Sequence, residues 1–371
     1  MTRKNFLTLA GAATVLLIAG LWVSAHKARQ QADLGGGAVF DDLRPALGAL
    51  AEIRLSKGDG SRTTLKREKD GWTVVERNYP ADPARVRELA LALAGLKVVE
   101  RKTSDPANYA KLGVEPADSP TATSTLVELV AGKQTWDLIV GKAADGRAVY
   151  VRKPKDAASA LAEPLVTVDP DQKRWVDRLV TDIPGTDVHE ISVQPAAGSA
   201  YLLTRAKRGD ADLVLSPVPK GRNSATSMAL SSQGEALAGL NFDDVHALEG
   251  APPAATDRAT WKLFDGQVIE LAGHRTGDKT FVTVAAHRDA ALAAQFAAPD
   301  DAKADAKTDA KADAKAATPA KPDAQTVERL AGRTTGVQYE IPAYKYDALF
   351  KAQEDLLEKP PAPPVKAAKQ K

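Results

Sequence analysis

TLVELVAGKQTWDLIVGKAADGRAVYVR, residues 125–152, decides the fold class. It reads as three short strands separated by glycine-bearing turns, with Gly141 at a strand end and Gly146 in the turn that follows. Three strands joined this tightly form a meander, which is antiparallel because a parallel return needs a long crossover. Downstream, ATWKLFDGQVIELAGHRTGDKTFVTVA (residues 259–285) has the same order of elements, with Gly273 and Gly277 in the matching places.

The likeness extends towards the N-terminus. AEIRLS (51–56) and RTTLKREKDGWTVVE (62–76) alternate as antiparallel strands, and YPADPARVRELALALAGL (79–96) follows as a helix. Asp82 is placed to accept the unpaired N–H groups at its start and Pro83 fits the first helical position. Val86, Leu89, Ala90, Leu93 and Leu96 form its apolar stripe. HEISVQ (189–194), YLLTRAKRGDADLVLSPVPKG (201–221) and EALAGLNFDDV (235–245) run in the same sequence, and the pentapeptide ALAGL occurs at 92–96 and again at 236–240. The offset drifts only from 138 at Glu52/Glu190 to 144 at Ala92/Ala236, a change that loops absorb. An internal duplication is therefore expected.

Each copy reads as a hairpin, an amphipathic helix, a meander and a closing helix, the last at VDPDQKRWVDRLV (168–180) and YEIPAYKYDALFKAQEDLLEK (339–359). The expected fold is α+β: an N-terminal transmembrane helix, then two related antiparallel-sheet-plus-helix units over residues 49–182 and 186–358. Residues 26–48 read as a linker, with Gly35-Gly36-Gly37 as its most flexible point. An Asp/Ala/Lys-rich insertion at 298–325 lacks any large apolar residue and stacks like charges at i,i+4, so it is expected to stay out of any core, as is the tail 359–371.

The N-terminus carries an address. After the basic leader 1–4, residues 5–25 run as NFLTLAGAATVLLIAGLWVSA without one charge. As a helix these would extend about 31 Å, close to a bilayer's hydrocarbon thickness. This reads as a single-pass anchor in the inner membrane with the body in the periplasm; a cleaved signal segment ending near Val23-Ser24-Ala25 is the alternative. Setting Arg3 and Lys4 aside leaves 48 basic against 48 acidic residues, so nothing in the balance calls for nucleic acid as a partner. Cysteine is absent, which excludes disulfides, thiolate metal sites and cysteine nucleophiles.

Chemistry-bearing motifs are few. The five histidines form neither HExxH nor a two-histidine helical turn, and no Gly-x-Ser-x-Gly elbow or phosphate loop occurs. No catalytic residue, cofactor or metal is expected. The best local cluster is NFDDVHA (241–247), with Asp243, Asp244 and His246; it reads first as a solvent-facing turn, because sequence neighbours in a loop diverge. Trp72 and Tyr79, beside the strand–helix junction, and Tyr109 complete a candidate binding surface.

DGWTV (70–74), YPAD (79–82), LAGL (93–96), NYAKLGV (108–114), LIVG (138–141) and AVYVR (148–152) together resemble the DUF4340 family of bacterial envelope proteins, with a second partial match through FDDV (242–245) and ALFKAQEDLL (348–357). The resemblance implies an N-terminally anchored envelope protein, of a kind often met beside membrane components of ABC-type transport systems, including gliding-motility-like complexes. The functional expectation is a non-enzymatic, membrane-tethered scaffold or accessory subunit. The alternative is a binding module for an envelope glycan, lipid or peptide.

Overall fold

The computed structural model describes residues 36–210, 212–296 and 325–358. The leader, the apolar run 5–25, the first part of the linker, the insertion up to residue 324 and the tail lie outside the described residues. Among the described residues no helix is long and apolar enough to cross a membrane. The chain divides into two compact units between Asp177 and Arg178. Both are α+β, and their strands pair antiparallel.

The first unit contains β1 (Glu52–Ser56), β2 (Arg62–Glu68), β3 (Gly71–Val74), β4 (Tyr79–Pro80), β5 (Lys97–Arg101), β6 (Thr125–Ala131), β7 (Gln134–Ala144), β8 (Ala148–Arg152) and β9 (Ser159–Glu163). They form one sheet in the order β4-β3-β2-β1-β6-β7-β8-β9-β5. Strict alternation in β6 buries Thr125, Val127, Leu129 and Ala131. Register then aligns the apolar rows: Ile53 sits opposite Leu65 on one side and Leu129 on the other. All three are fully buried, each worth about 1.5–3 kcal/mol by transfer.

The helix Pro83–Gly95 starts as expected. Asp82 accepts hydrogen bonds from the N–H groups of Ala84 (2.9 Å) and Arg85 (3.3 Å), and Val86, Leu89, Ala90 and Leu93 are buried. A second, short helix, Tyr109–Leu112, ends on Gly113 in the left-handed region (φ +68) and lies against β7. Its approach explains Gly141, which stands within β7 rather than at its end. A Cβ there would lie 2.5 Å from the Leu112 carbonyl oxygen and 2.7 Å from that of Gly113.

Two expectations for this unit are corrected. The later part of the expected linker 26–48 belongs to the folded unit: Val39, Phe40 and Leu43 are buried, and Leu43–Ala46 forms a helical turn. Their apolar side chains gain more from the core than a tether would from leaving them in water. Residues 168–180 do not form a closing helix. The Asp82 N–H donates to Trp175 O and the Asp177 N–H to Pro80 O, so 175–177 runs extended beside 80–82, leaving only a short 3-10 turn at Gln172–Arg174.

The second unit contains β10 (Leu179–Thr181), β11 (Val188–Gln194), β12 (Tyr201–Thr204), β13 (Val214–Ser216), β14 (Leu240–Asn241), β15 (Asp244–Ala247), β16 (Asp257–Leu263), β17 (Gln267–Thr276), β18 (Lys279–Arg288) and β19 (Val337–Ile341). β10 pairs with β14; the other eight form a sheet ordered β13-β12-β11-β16-β17-β18-β19-β15. Ile191 pairs with Leu203 on one side and Trp261 on the other. The segment expected as a closing helix from 339 begins instead as β19, and its helix spans Ala343–Leu349 after Pro342.

That helix presses on β17 at Gly273, where a Cβ would meet the Phe350 ring at 2.5 Å and the Tyr346 hydroxyl at 2.7 Å. Tyr346 donates to the buried Asp257 carboxylate (2.7 Å), which also receives the Ala196 N–H and the Thr256 hydroxyl. Burial, then the bond to Asp257, raises the Tyr346 phenol well above its ordinary value. The second ALAGL is not an α-helix. Glu235–Leu237 is a 3-10 turn, Gly239 takes φ +54, and its N–H donates to Asp182 at 2.8 Å.

The close approach at β7 has a measurable cost. Gly141→Ala is expected to destabilise the first unit by roughly 1–3 kcal/mol in urea unfolding, because the obstructing atoms are backbone and cannot rotate away. Gly48→Ala, with nothing within 4 Å, is expected to stay within about 0.5 kcal/mol of the parent. Equal midpoints for the two variants would contradict the packing described.

Candidate functional site

The aromatic residues expected to share a surface do not converge. Trp72 is half-buried on β3; Tyr79, on β4, is buried. They occupy the β4 edge of the sheet, opposite the β5 edge. Tyr109 packs with Val114 and Ile139 against Tyr150 of β8. Its hydroxyl donates to the Ala157 carbonyl at 2.5 Å, and the Arg152 guanidinium lies over its ring, 4.5 Å from the centroid.

That contact is part of a built feature. Arg152, buried at the end of β8, donates from Nε to Val114 O (2.9 Å) and from one terminal nitrogen to the carbonyls of Lys153, Pro154 and Asp156. The loop after β8 is thereby folded around a guanidinium bonded to carbonyl dipoles. Tyr109 fixes the next turn through Ala157. The loop walls a cavity of about 870 Å³. Arg101, Lys153 and Lys155 line it beside Asp156, and Val39, Val98, Leu138 and Val151 supply apolar surface. The volume falls in the range of small-molecule sites. Cationic and apolar side chains thus line the same cavity.

The second unit holds a different constellation. Asp243 and Asp244 diverge: Asp243 lies in the bend before β15, and Asp244 is the first residue of that strand. Asp243 is exposed and accepts from Arg178 at 2.8 Å. Asp244 is buried, on the same face of β15 as His246. NFDDVHA is thus not the solvent-facing turn expected: it enters a strand whose partner arrives from far downstream. β15 pairs with β19, putting Asp244 opposite Glu340 and His246 opposite Gln338. His246 Nε2 lies 3.6 Å from Asp244 Oδ2 and 3.4 Å from Glu340 Oε2. Lys279 of β18 reaches the same Glu340 oxygen at 2.8 Å.

Aromatic contacts back this cluster. Phe281 lies edge-on to His246 (5.8 Å) and stacks on His274 of β17 (5.3 Å, 15°). Glu340 and Lys279 escaped the sequence reading, since nothing in a chain 94 residues long between His246 and Glu340 signals contact. With 339–359 expected as a closing helix, neither the face nor the neighbour of Glu340 was legible. The cationic loop had a weak signal, the basic run VRKPK at 151–155.

These features define an α+β protein of antiparallel sheets, with a cavity of about 870 Å³ lined by cationic and apolar residues in its first unit and an acid–histidine cluster in its second. The chain belongs to the DUF4340 family: the model described as "Domain of unknown function (DUF4340)" matches residues 72–263, about half of the chain. No curated protein and no solved structure matches it.

His274 links this face to pH. Burial lowers its pKa from the ordinary 6.5, so the neutral ring is favoured in the folded state. The unfolded chain then binds the proton first as pH falls. Stability is full above about 6.5 and is lost as pH drops through the folded value. The urea midpoint of the parent is expected to decline from pH 7 to 5 more steeply than that of His274→Asn. Parallel profiles would show that His274 does not contribute.

Proposed function

We propose that this protein is a non-enzymatic, membrane-tethered accessory subunit of the cell envelope that works by binding an anionic amphiphile in its first unit. The observation that carries the reading is the cavity lining: Arg101, Lys153 and Lys155 line the same cavity as Val39, Val98, Leu138 and Val151. A lipid or acylated envelope molecule with a negative headgroup satisfies both parts. The uncharged run 5–25 supports an inner-membrane tether with the body in the periplasm, where such molecules lie within reach. Membership of a DUF4340 family found beside ABC-type membrane components makes a transport or gliding-motility-like assembly the favoured context.

An internal duplication completes the reading. Its support is topological: β3-β2-β1-β6-β7-β8-β9-β5 and β13-β12-β11-β16-β17-β18-β19-β15 run in one order. Register agrees as well, since Ile53 and Ile191 occupy the same place between their neighbours. A scaffold that presents two like units, specialised apart, accounts for a cationic cavity in one and an acid–histidine cluster in the other.

Two measurements test the proposal. Full chain released from neutral detergent in native mass spectrometry is expected to retain one anionic lipid, and Arg101→Glu with Lys155→Glu should reduce occupancy at least tenfold. Retention unchanged by charge reversal would remove the cavity from the argument. Crosslinking in intact cells, followed by solubilisation and mass spectrometry, should recover inner-membrane transport components above control. Recovery of cytoplasmic partners alone would overturn the tethered arrangement.

A further inference from the structure

We propose that Asp244, His246 and Glu340 form a binding site for a divalent transition-metal ion, with Zn²⁺ the best match. The three side chains each offer one donor atom, and these atoms lie within 4.8 Å of one another. The two distances from His246 Nε2, 3.6 and 3.4 Å, are informative. Ligands about 2.1 Å from a tetrahedral zinc stand roughly 3.4 Å apart, so an ion fits with only slight movement of the side chains.

The frame is rigid where such a site needs rigidity. Asp244 and His246 are two residues apart on one strand and therefore share a face. Glu340 is fixed opposite Asp244 by the β15–β19 ladder. β19 is itself pinned on its far side by β18. The Asp244 side chain is only 4% exposed, and its Oδ1 accepts the Val245 N–H at 2.9 Å, leaving Oδ2 as the oxygen nearest His246. Imidazole with two carboxylates favours a borderline ion over Ca²⁺ or Mg²⁺, which prefer oxygen donors alone. Three protein ligands leave a tetrahedral ion one further position, and half-buried His246 puts it on the solvent side.

Lys279 supplies the internal competitor. Its ammonium lies 2.8 Å from Glu340 Oε2, the oxygen a metal would use. Its side chain is 57% exposed, so it can swing into water when the ion binds. Removing that ammonium should therefore strengthen metal binding, an effect opposite in sign to loss of a ligand. A purely structural salt-bridge cluster predicts no such pair of effects.

The test uses the untagged full chain in neutral detergent, stripped with chelator, and titrated with Zn²⁺, Ca²⁺ and Mg²⁺ by calorimetry. One Zn²⁺ per chain is expected, with Ca²⁺ and Mg²⁺ at least tenfold weaker. His246→Ala should weaken Zn²⁺ at least about tenfold, and Lys279→Met should tighten it several-fold. Co²⁺ should give the visible absorption of a low-symmetry four-coordinate ion in the parent and not in His246→Ala. If His246→Ala fails to fold, the parent stoichiometry and the exposed Lys279→Met variant still decide the matter. Absence of stoichiometric Zn²⁺ in the parent, equal affinity in the parent and His246→Ala, or weaker binding in Lys279→Met would each overturn the proposal.

Discussion

The double pairing of β19 is the constraint on which the second unit depends. Tyr339, Glu340 and Ile341 pair with β18 on one side, and Val337 to Glu340 pair with β15 on the other. Without it, β15 would have no neighbour and its alternation no meaning. With it, Val337, Tyr339 and Ile341 enter the core while Gln338 and Glu340 face the other way. A one-residue slip would exchange the two sets, burying a carboxylate and exposing a tyrosine, so the core and the acid–histidine cluster enforce the same register. The cluster is thus held by the free energy of the core rather than by its own contacts.

The first unit fixes its feature by a different route. β9 and β5 complete its sheet, and the loop between β8 and β9 must turn sharply over the end of the strands. Arg152 supplies the centre for that turn, drawing carbonyls from the loop onto one guanidinium while Tyr109 covers its face. Burying a cation is costly unless its donors are satisfied. Here backbone oxygens do so, and the neighbouring lysines stay exposed along the cavity. Rigid wall and charged rim arise from one segment.

The places where a reading of residues succeeded share a cause. The helix at Pro83–Gly95 carries its own start signal and stripe, and the meanders carry period-two alternation with turn glycines, so local pattern and final structure agree. Where the reading failed, a partner from elsewhere in the chain had the stronger claim. The 168–180 segment has a helix-like start, but its backbone donors and acceptors are taken by residues 80–82. ALAGL ends an α-helix once and forms a turn and strand the second time, because Asp182 captures the Gly239 N–H. Gly141 and Gly273 were visible as matched glycines, yet the chains that crowd them were not.

The amino-acid order alone settled the α+β class, the antiparallel meanders, one helix with its cap and the uncharged run near the N-terminus, and it showed Asp244 and His246 as near neighbours in sequence. These are matters of periodicity and of side-chain chemistry within a few residues. Tertiary structure alone decided that Glu340 and Lys279 join them, that Asp243 turns away to Arg178, and that Tyr109 supports a cationic cavity. Such neighbours are set by strand order and register over nearly a hundred residues, and those follow from the burial of the whole sheet rather than from any segment of it.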